Sequence, residues 1–171
     1  SLYPHRHARG DQGMRGAVVC FALIMAMPID GAQPSEPQAS STDLVVRYVV
    51  DKPFSDVIFE LDFAITERNF RITGRNTIGE GLRKRGYEDF PNIEVIHFCS
   101  LEKAREVLVI DPGFVAQMPC RIAVYEQGGK TVISLITLPL DHPDPRVNEF
   151  ARRMNGIMTE IVEFTLDSNG E

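Results

Sequence analysis

Residues 120–138 read CRIAVYEQGGKTVISLITL, and this stretch decides the fold of the chain. Two runs rich in Val, Ile, Leu and Tyr, at 120–126 and 131–138, flank the turn sequence Gln-Gly-Gly-Lys. Paired glycines between two β-prone runs are a typical hairpin signal, because glycine adopts the positive φ angles that tight hairpin turns need. The stretch therefore predicts two adjacent antiparallel strands.

Outward from this hairpin toward the N-terminus, the pattern predicts three more strands and two helices. The strands are predicted at 43–51, 71–78 and 92–99, and the helices from Pro53 onward and from Leu101 to about Ile110. The first helix carries one apolar stripe at helical spacing, formed by Phe54, Val57, Ile58, Leu61, Ala64 and Ile65. Ser100 is the predicted N-cap of the second helix.

A long amphipathic helix is predicted after the hairpin. Asp144 suits the N-cap and Pro145 the first helical position. One apolar face then follows, comprising Val147, Phe150, Ala151, Met154, Ile157, Met158 and Ile161. The element order predicts an α+β fold: an antiparallel or mixed sheet of about five strands, covered by two long helices, with a short helix between strands.

The first 42 residues differ in composition from the rest. Residues 14–32 resemble a signal peptide, with Arg15, an apolar run at 17–27 and small residues near a predicted cleavage after Ala32. The run is shorter than the ~20 residues of a membrane span. Residues 1–13 are predicted to be upstream translated sequence or a cloning remnant, 33–42 a disordered linker and 43–168 a single domain. The mature protein is expected to be exported, periplasmic or secreted, without a membrane span.

The charge balance limits the partners that the protein is expected to bind. The 171 residues carry a formal net charge of −6. Nucleic-acid binding depends on clustered Lys and Arg that neutralise phosphates. The acidic balance therefore argues against a nucleic-acid partner.

The region from the third strand onward resembles a known family. The stretch IHFCSLEKAREVL at 96–108, followed by Asp111-Pro112 and by MPCRIAVYE at 118–126, is similar to the family called domain of unknown function 302. The resemblance covers about residues 44–166. Ser100 departs from it, since many members carry Asn there. The resemblance implies a TATA-binding-protein-like α+β fold, and it implies neither an activity nor a cofactor.

Four residues form a candidate metal site. His97 and Cys99 lie two apart on a predicted strand and so share a face. Met118 and Cys120 are also two apart, at the entry to the next strand. If these strand ends meet, sulfur and imidazole ligands converge, a set that suits Cu(I) or Zn.

The cysteine pair allows other interpretations. Cys99 precedes a predicted helix, whose N-terminus lowers a thiol pKa. In an oxidising compartment Cys99 and Cys120 could form a structural or reversible disulfide. Alternatively, both are buried and act as small apolar side chains. Arg121, beside Cys120, is a candidate contact for an anionic ligand, or it faces water.

Phe59 and Phe63 are candidate interface residues. They lie about 180° from the apolar stripe of the first helix at 100° per residue, and Phe70 would join them if the helix continued. Exposed apolar surface of this kind often marks an interface. The pattern predicts a homodimer or partner contact through this helix, unless a loop or the N-terminal linker covers it.

The sequence favours a binding function over catalysis. It contains no nucleophile–base pair, phosphate loop or paired-carboxylate motif. It therefore predicts a non-enzymatic module that binds a small ligand or a protein, and it requires no cofactor. The alternative is a thiol-redox or copper/zinc-handling protein that uses Cys99 and Cys120. An enzyme acting on a small organic substrate is a third hypothesis, with no residue to carry it.

Overall fold

The computed structural model describes residues 44–167, which form one five-stranded antiparallel sheet with four α-helices. The predicted segments 1–13, 14–32 and 33–42 lie outside the described residues. The elements, in chain order, are β1 (Val45–Val50), α1 (Phe54–Glu67), β2 (Arg71–Thr77), α2 (Ile78–Arg83), β3 (Ile93–Cys99), α3 (Leu101–Leu108), a 3₁₀ helix (Pro112–Gln117), β4 (Cys120–Gln127), β5 (Lys130–Ile136) and α4 (Pro145–Asp167).

The sheet has the strand order β1-β5-β4-β3-β2, and every neighbouring pair is antiparallel. The predicted hairpin joins β4 to β5 through Gly128 and Gly129, which have φ angles of 60° and 75°. The predicted α+β class and five-stranded sheet are therefore confirmed, and the sheet is antiparallel rather than mixed. Nothing in this order conflicts with the TATA-binding-protein-like fold that the family resemblance implies.

The core lies on one side of the sheet, beneath α1 and α4. The buried stripe of α1 consists of Val57, Leu61, Ala64 and Ile65, as predicted. It packs with α4 against alternate strand residues, namely Ile96, Phe98, Ile122, Val124, Ile133 and Leu135. Each of these large side chains contributes ~1.5–3 kcal/mol on full burial, so this side holds most of the stabilising apolar contacts.

The opposite side of the sheet is called the outer face here. It consists of the strand residues that alternate away from the core, and none of them belongs to the core cluster. Val132 and Ser134 are buried at its centre, and Val49 is 66% exposed at its edge.

Helix ends show which predicted caps form. The Asp144 carboxylate accepts a hydrogen bond from the Arg146 N–H at 2.9 Å, at the start of α4 as predicted. Ser100 occupies the N-cap position of α3, but its hydroxyl donates to Glu102 Oε2 at 3.1 Å and does not cap the backbone.

Phe70 does not extend the exposed side of α1. The helix ends at Glu67, and Asn69 then adopts a φ of 59°. This left-handed conformation suits asparagine and reverses the chain. Phe70 is consequently only 5% exposed and packs edge-on against Phe98, with ring centroids 5.5 Å apart.

Candidate functional site

An open groove of about 800 Å³ lies where β2 begins and β3 ends. The turn between α1 and β2 forms one wall, with Arg68, Asn69, Phe70 and Arg71, and residues 99–103 form the other. The antiparallel register pairs Arg71 with Cys99, which brings the two walls together. Of the two cavities described here that Cys99 borders, the groove has the larger volume.

The groove carries more positive than negative charge. It is lined by Arg68, Arg71 and Lys103, against one carboxylate, Glu102. Arg68 is held in place: its guanidinium donates to the carbonyl oxygen of Ala64 at 3.2 Å, and Nε lies 3.7 Å from Glu160 Oε2.

Two of these cations are available to a ligand. Within residues 44–167, Arg71 and Lys103 make no ion pair or side-chain hydrogen bond. The start of α3 also lies at this wall, where the Glu102 carboxylate accepts a backbone N–H hydrogen bond that lowers its pKa. The groove can therefore offer an anion two cations that have no partner among residues 44–167.

An apolar rim adjoins these charges. Leu101 lines the groove with 80% of its surface exposed, and the buried Phe70 ring lies at its base. An exposed leucine alone needs no functional explanation. Here it adds an apolar surface beside the charged side chains that line the groove.

Cys99 lines the groove with a half-buried thiol. Burial raises the pKa of Cys99, and a hydrogen bond from the Ser100 backbone offsets this in part. The lower pKa expected from the start of α3 is therefore wrong in sign, because desolvation of the thiolate outweighs the helix. Near neutral pH Cys99 is a protonated thiol.

Cys120 borders a small apolar cavity behind the groove. This cavity has a volume of about 20 Å³ and is also lined by Cys99 and Met118, among other apolar side chains. Burial, with a smaller contribution from Cys99, raises the pKa of Cys120 to about 11. A space of this size holds about one water molecule and is too small for an organic ligand.

Both thiols are free, so no disulfide joins them in the structure. Cys120 pairs with Phe98 across β3 and β4, and Cys99 is the next residue along β3. Because neighbouring residues of a strand alternate between its faces, this register does not place the two cysteines directly opposite each other. A disulfide stays a prediction that this register does not favour.

The metal ligands predicted from the sequence are only partly brought together. Cys99, Met118 and Cys120 border the same cavity, whereas His97 lies on the outer face, with Nε2 2.6 Å from Asn76 Oδ1. Residues 44–167 contain no group of three or more His, Cys, Asp or Glu side chains placed to hold a metal ion. The four-ligand site stays a prediction.

Arg121 and the two phenylalanines lie away from the groove. Arg121 is exposed on the outer face, directly across from His97. Phe59 and Phe63 are 73% and 47% exposed on α1, as expected, and the Phe63 ring lies 5.6 Å from that of Phe164. These residues do not contribute to the groove.

The sequence reasoning missed Arg68, Arg71 and Lys103. A signal for Arg71 was present, because an antiparallel pairing of the second and third predicted strands places the start of one beside the end of the other. The same pairing brings Lys103 near Arg71, since Lys103 lies in the first turn of the helix that directly follows β3.

Among residues 44–167, no helix combines the length and apolarity needed to cross a membrane.

Comparisons with known proteins identify the family but not an activity. No curated protein has a significant sequence match to the chain. A crystal structure of an uncharacterized conserved DUF302 protein from Bacillus stearothermophilus has the same fold, with a TM-score of 0.65 and 18% identity over 71% of this chain and 98% of that chain. The profile of the family described as "Domain of unknown function DUF302" matches residues 46–161. The chain therefore belongs to the DUF302 family.

Proposed function

We propose that the domain is a non-enzymatic binding module that takes a small anionic ligand with an apolar portion into the groove. The observation that carries this proposal is the pair of unpaired cations, Arg71 and Lys103, in a concave surface of about 800 Å³. Pockets with an apolar lining and a few placed polar groups are typical ligand sites. The sequence segment 14–32 further supports action outside the cytoplasm.

The state of the thiol argues for binding rather than thiol chemistry. The thiolate is the nucleophilic form of cysteine, and reactive cysteines usually have a lowered pKa. The pKa of Cys99 is raised by burial. Within the groove Cys99 therefore acts as a neutral, polarizable contact rather than as a nucleophile.

A titration followed by amide NMR tests this proposal with three probes: acetate, hexanoate and hexanol. Hexanoate should give saturable shifts at residues 68–71 and 99–103, at lower concentration than acetate or hexanol, because it combines charge with an apolar chain. Lys103→Ala combined with Arg71→Ala should weaken hexanoate binding at least fivefold. Arg152→Ala, an exposed arginine on α4, serves as the control. Equal shifts from hexanol and hexanoate, or no saturation with either, would overturn the proposal.

A second candidate is the handling of a soft metal ion such as Cu(I). The observation that favours it is that Cys99, Met118 and Cys120 border one cavity, which places three sulfur side chains together. A Cu(I) competition titration against a chromogenic chelator tests it, with Met118→Leu and Cys120→Ser as variants. An affinity that neither substitution changes would remove this candidate.

A further inference from the structure

Three arginines lie along one diagonal of the outer face. The register aligns Arg47 of β1 with Ser134, Ala123 and Val95 across the sheet. Arg121 of β4 lies opposite His97, two residues further along β3 than Val95. Arg71 of β2 lies opposite Cys99, two residues further again. All three are exposed and, by strand alternation, point away from the core.

The spacing between successive arginines is constant. From Arg47 to Arg121, and again from Arg121 to Arg71, the diagonal crosses two interstrand distances and advances two residues. With ~4.8 Å between strands and ~3.4 Å per residue, each step spans ~12 Å. The Cα positions of the three arginines thus form an evenly spaced line of ~24 Å across the sheet.

No carboxylate on the outer face of the strands compensates these charges. The two acidic strand residues, Glu94 and Glu126, alternate to the core side, where Glu94 pairs with Arg75 and Glu126 accepts from the Asn92 N–H. Within residues 44–167, none of the three arginines makes an ion pair or side-chain hydrogen bond. The diagonal therefore offers three free cations in a protein of net charge −6.

Apolar side chains flank the diagonal on both sides. Val49, Tyr125 and Ile93 lie on one side of it, and Val45 and Ile136 on the other. The outer face is four interstrand spacings wide and three two-residue steps long, which gives it an area of ~400 Å². This area is about half of what one partner contributes to a standard protein–protein interface.

These features select the kind of partner. A symmetric contact between two outer faces would bring arginines toward arginines, which like-charge repulsion opposes. Nucleic acid would meet only three cations on a protein that is negative overall, which gives little electrostatic gain. The small area and the line of cations instead fit a single extended acidic segment.

We propose that the outer face binds an extended protein segment with a carboxylate at every fourth residue. Four residues of extended chain span ~13 Å, which matches the ~12 Å step between arginines. Residues two apart in such a segment face the same side, so the position midway between two carboxylates would rest on the sheet. Valine or a similar apolar residue is expected there.

Fluorescence anisotropy with two labelled peptides of identical composition tests this inference on the full chain. In the first, Glu-Thr-Val-Thr-Glu-Thr-Val-Thr-Glu, the carboxylates are four residues apart, and in the second the three glutamates are adjacent. The spaced peptide should bind about tenfold more tightly. Arg47→Ala and Arg121→Ala should each weaken its binding about fivefold, and Arg152→Ala should not. Equal affinity for both peptides, or tighter binding of a duplex DNA of similar length, would overturn the inference.

The inference can be tested separately from the anion groove, although Arg71 belongs to both. Arg47 and Arg121 do not line the groove, and Lys103 is not on the outer face. Lys103→Ala should therefore leave peptide binding unchanged. If the protein binds the spaced peptide but not hexanoate, the proposed function fails and this inference stands. If it binds hexanoate but not the spaced peptide, this inference fails and the proposed function stands.

Discussion

Cys99 and Cys120 stand one register step apart on adjacent antiparallel strands. Phe98, not Cys99, is the cross-strand partner of Cys120. Cys120 therefore faces the core, whereas the side chain of Cys99 starts from the outer face of β3 and borders the groove. The two thiols thus start from opposite faces of the sheet, although both also border the small cavity behind the groove.

This register predicts that the two thiols stay reduced in air. After oxidation by dissolved oxygen, the protein would be unfolded without reductant and alkylated with iodoacetamide. Peptide mass mapping should then find Cys99 and Cys120 both alkylated in nearly all molecules. A linked peptide containing both residues as the major species would contradict this prediction from the cross-strand register.

The raised pKa of Cys120 predicts a loss of stability at alkaline pH. The pKa rises from 9.0 in the unfolded chain to about 11 in the folded protein, because burial disfavours the thiolate. The native state thus holds the proton more tightly, and this contribution is complete below pH 9 and lost between pH 9 and 11. Two pKa units correspond to about 2–3 kcal/mol.

Urea unfolding from pH 7 to 11 measures this effect. Cys120→Ala lacks the titrating thiol and is the reference, so the stability of the wild type relative to it should fall with increasing pH. Other groups that titrate in this range cancel in the comparison. A difference in unfolding free energy that does not change between pH 8 and 11 would refute the prediction.

Two glycines of α2 should respond in opposite ways to the same substitution. A Cβ at Gly79 would lie 2.3 Å from the carbonyl oxygen of Pro91 and 2.8 Å from the Ile93 nitrogen. Because both contacts are backbone atoms, Gly79→Ala should destabilise the fold by ~3 kcal/mol or more. At Gly81 the nearest atom is the flexible Arg85 side chain at 3.5 Å. Gly81→Ala should therefore be neutral or stabilising by ~0.5–1 kcal/mol.

Chemical denaturation of the two glycine variants provides the readout. Equal midpoints for Gly79→Ala and Gly81→Ala would mean that the close approach of α2 to the start of β3 is not present in solution.

A substitution at Phe59 distinguishes a role in an interface from a role in packing better than a substitution at Phe63 does. Phe63 stacks near Phe164, so its replacement also disturbs packing, whereas Phe59 is 73% exposed. If α1 forms the predicted homodimer, Phe59→Asp should halve the mass measured by light scattering and leave the unfolding of the monomer unchanged. A wild-type protein that is already monomeric at ~100 µM, above the Kd of most stable interfaces, would end the homodimer prediction.

Patterned elements were the part of the fold that the sequence could predict. The hairpin, the stripe of α1 and the Asp144 cap depend on local spacing and turn chemistry, and the structure confirms them. Gly79 shows the limit: its close contact joins α2 to residues 91–93, and no local pattern encodes such a tertiary approach.

The candidate site was harder to predict because it depends on pairing and burial. Arg71 meets Cys99 only through the β2–β3 register, which shifts between Ile72 and Gly74. The sign of the Cys99 pKa shift depends on how far the thiol is desolvated, and a sequence position beside a helix does not reveal that. Cys99 borders the groove, but its position in the sequence indicated neither the neighbouring Arg71 nor the direction of its pKa shift.

Cys99 lies in a groove lined by three cations and one carboxylate, and paired thiol reagents measure the resulting positive potential most directly. Cys20, the third cysteine of the sequence, would be replaced by serine so that it does not react. The dianionic 5,5′-dithiobis(2-nitrobenzoate) and the neutral 4,4′-dithiodipyridine would then each be reacted with Cys99. At low salt the ratio of the anionic to the neutral rate constant should exceed that of free cysteine about tenfold, which equals ~1.4 kcal/mol of attraction. In 1 M NaCl, or with Arg71→Ala and Lys103→Ala, the ratio should fall toward that of free cysteine. A ratio equal to that of free cysteine at every salt concentration would contradict the anion-binding groove.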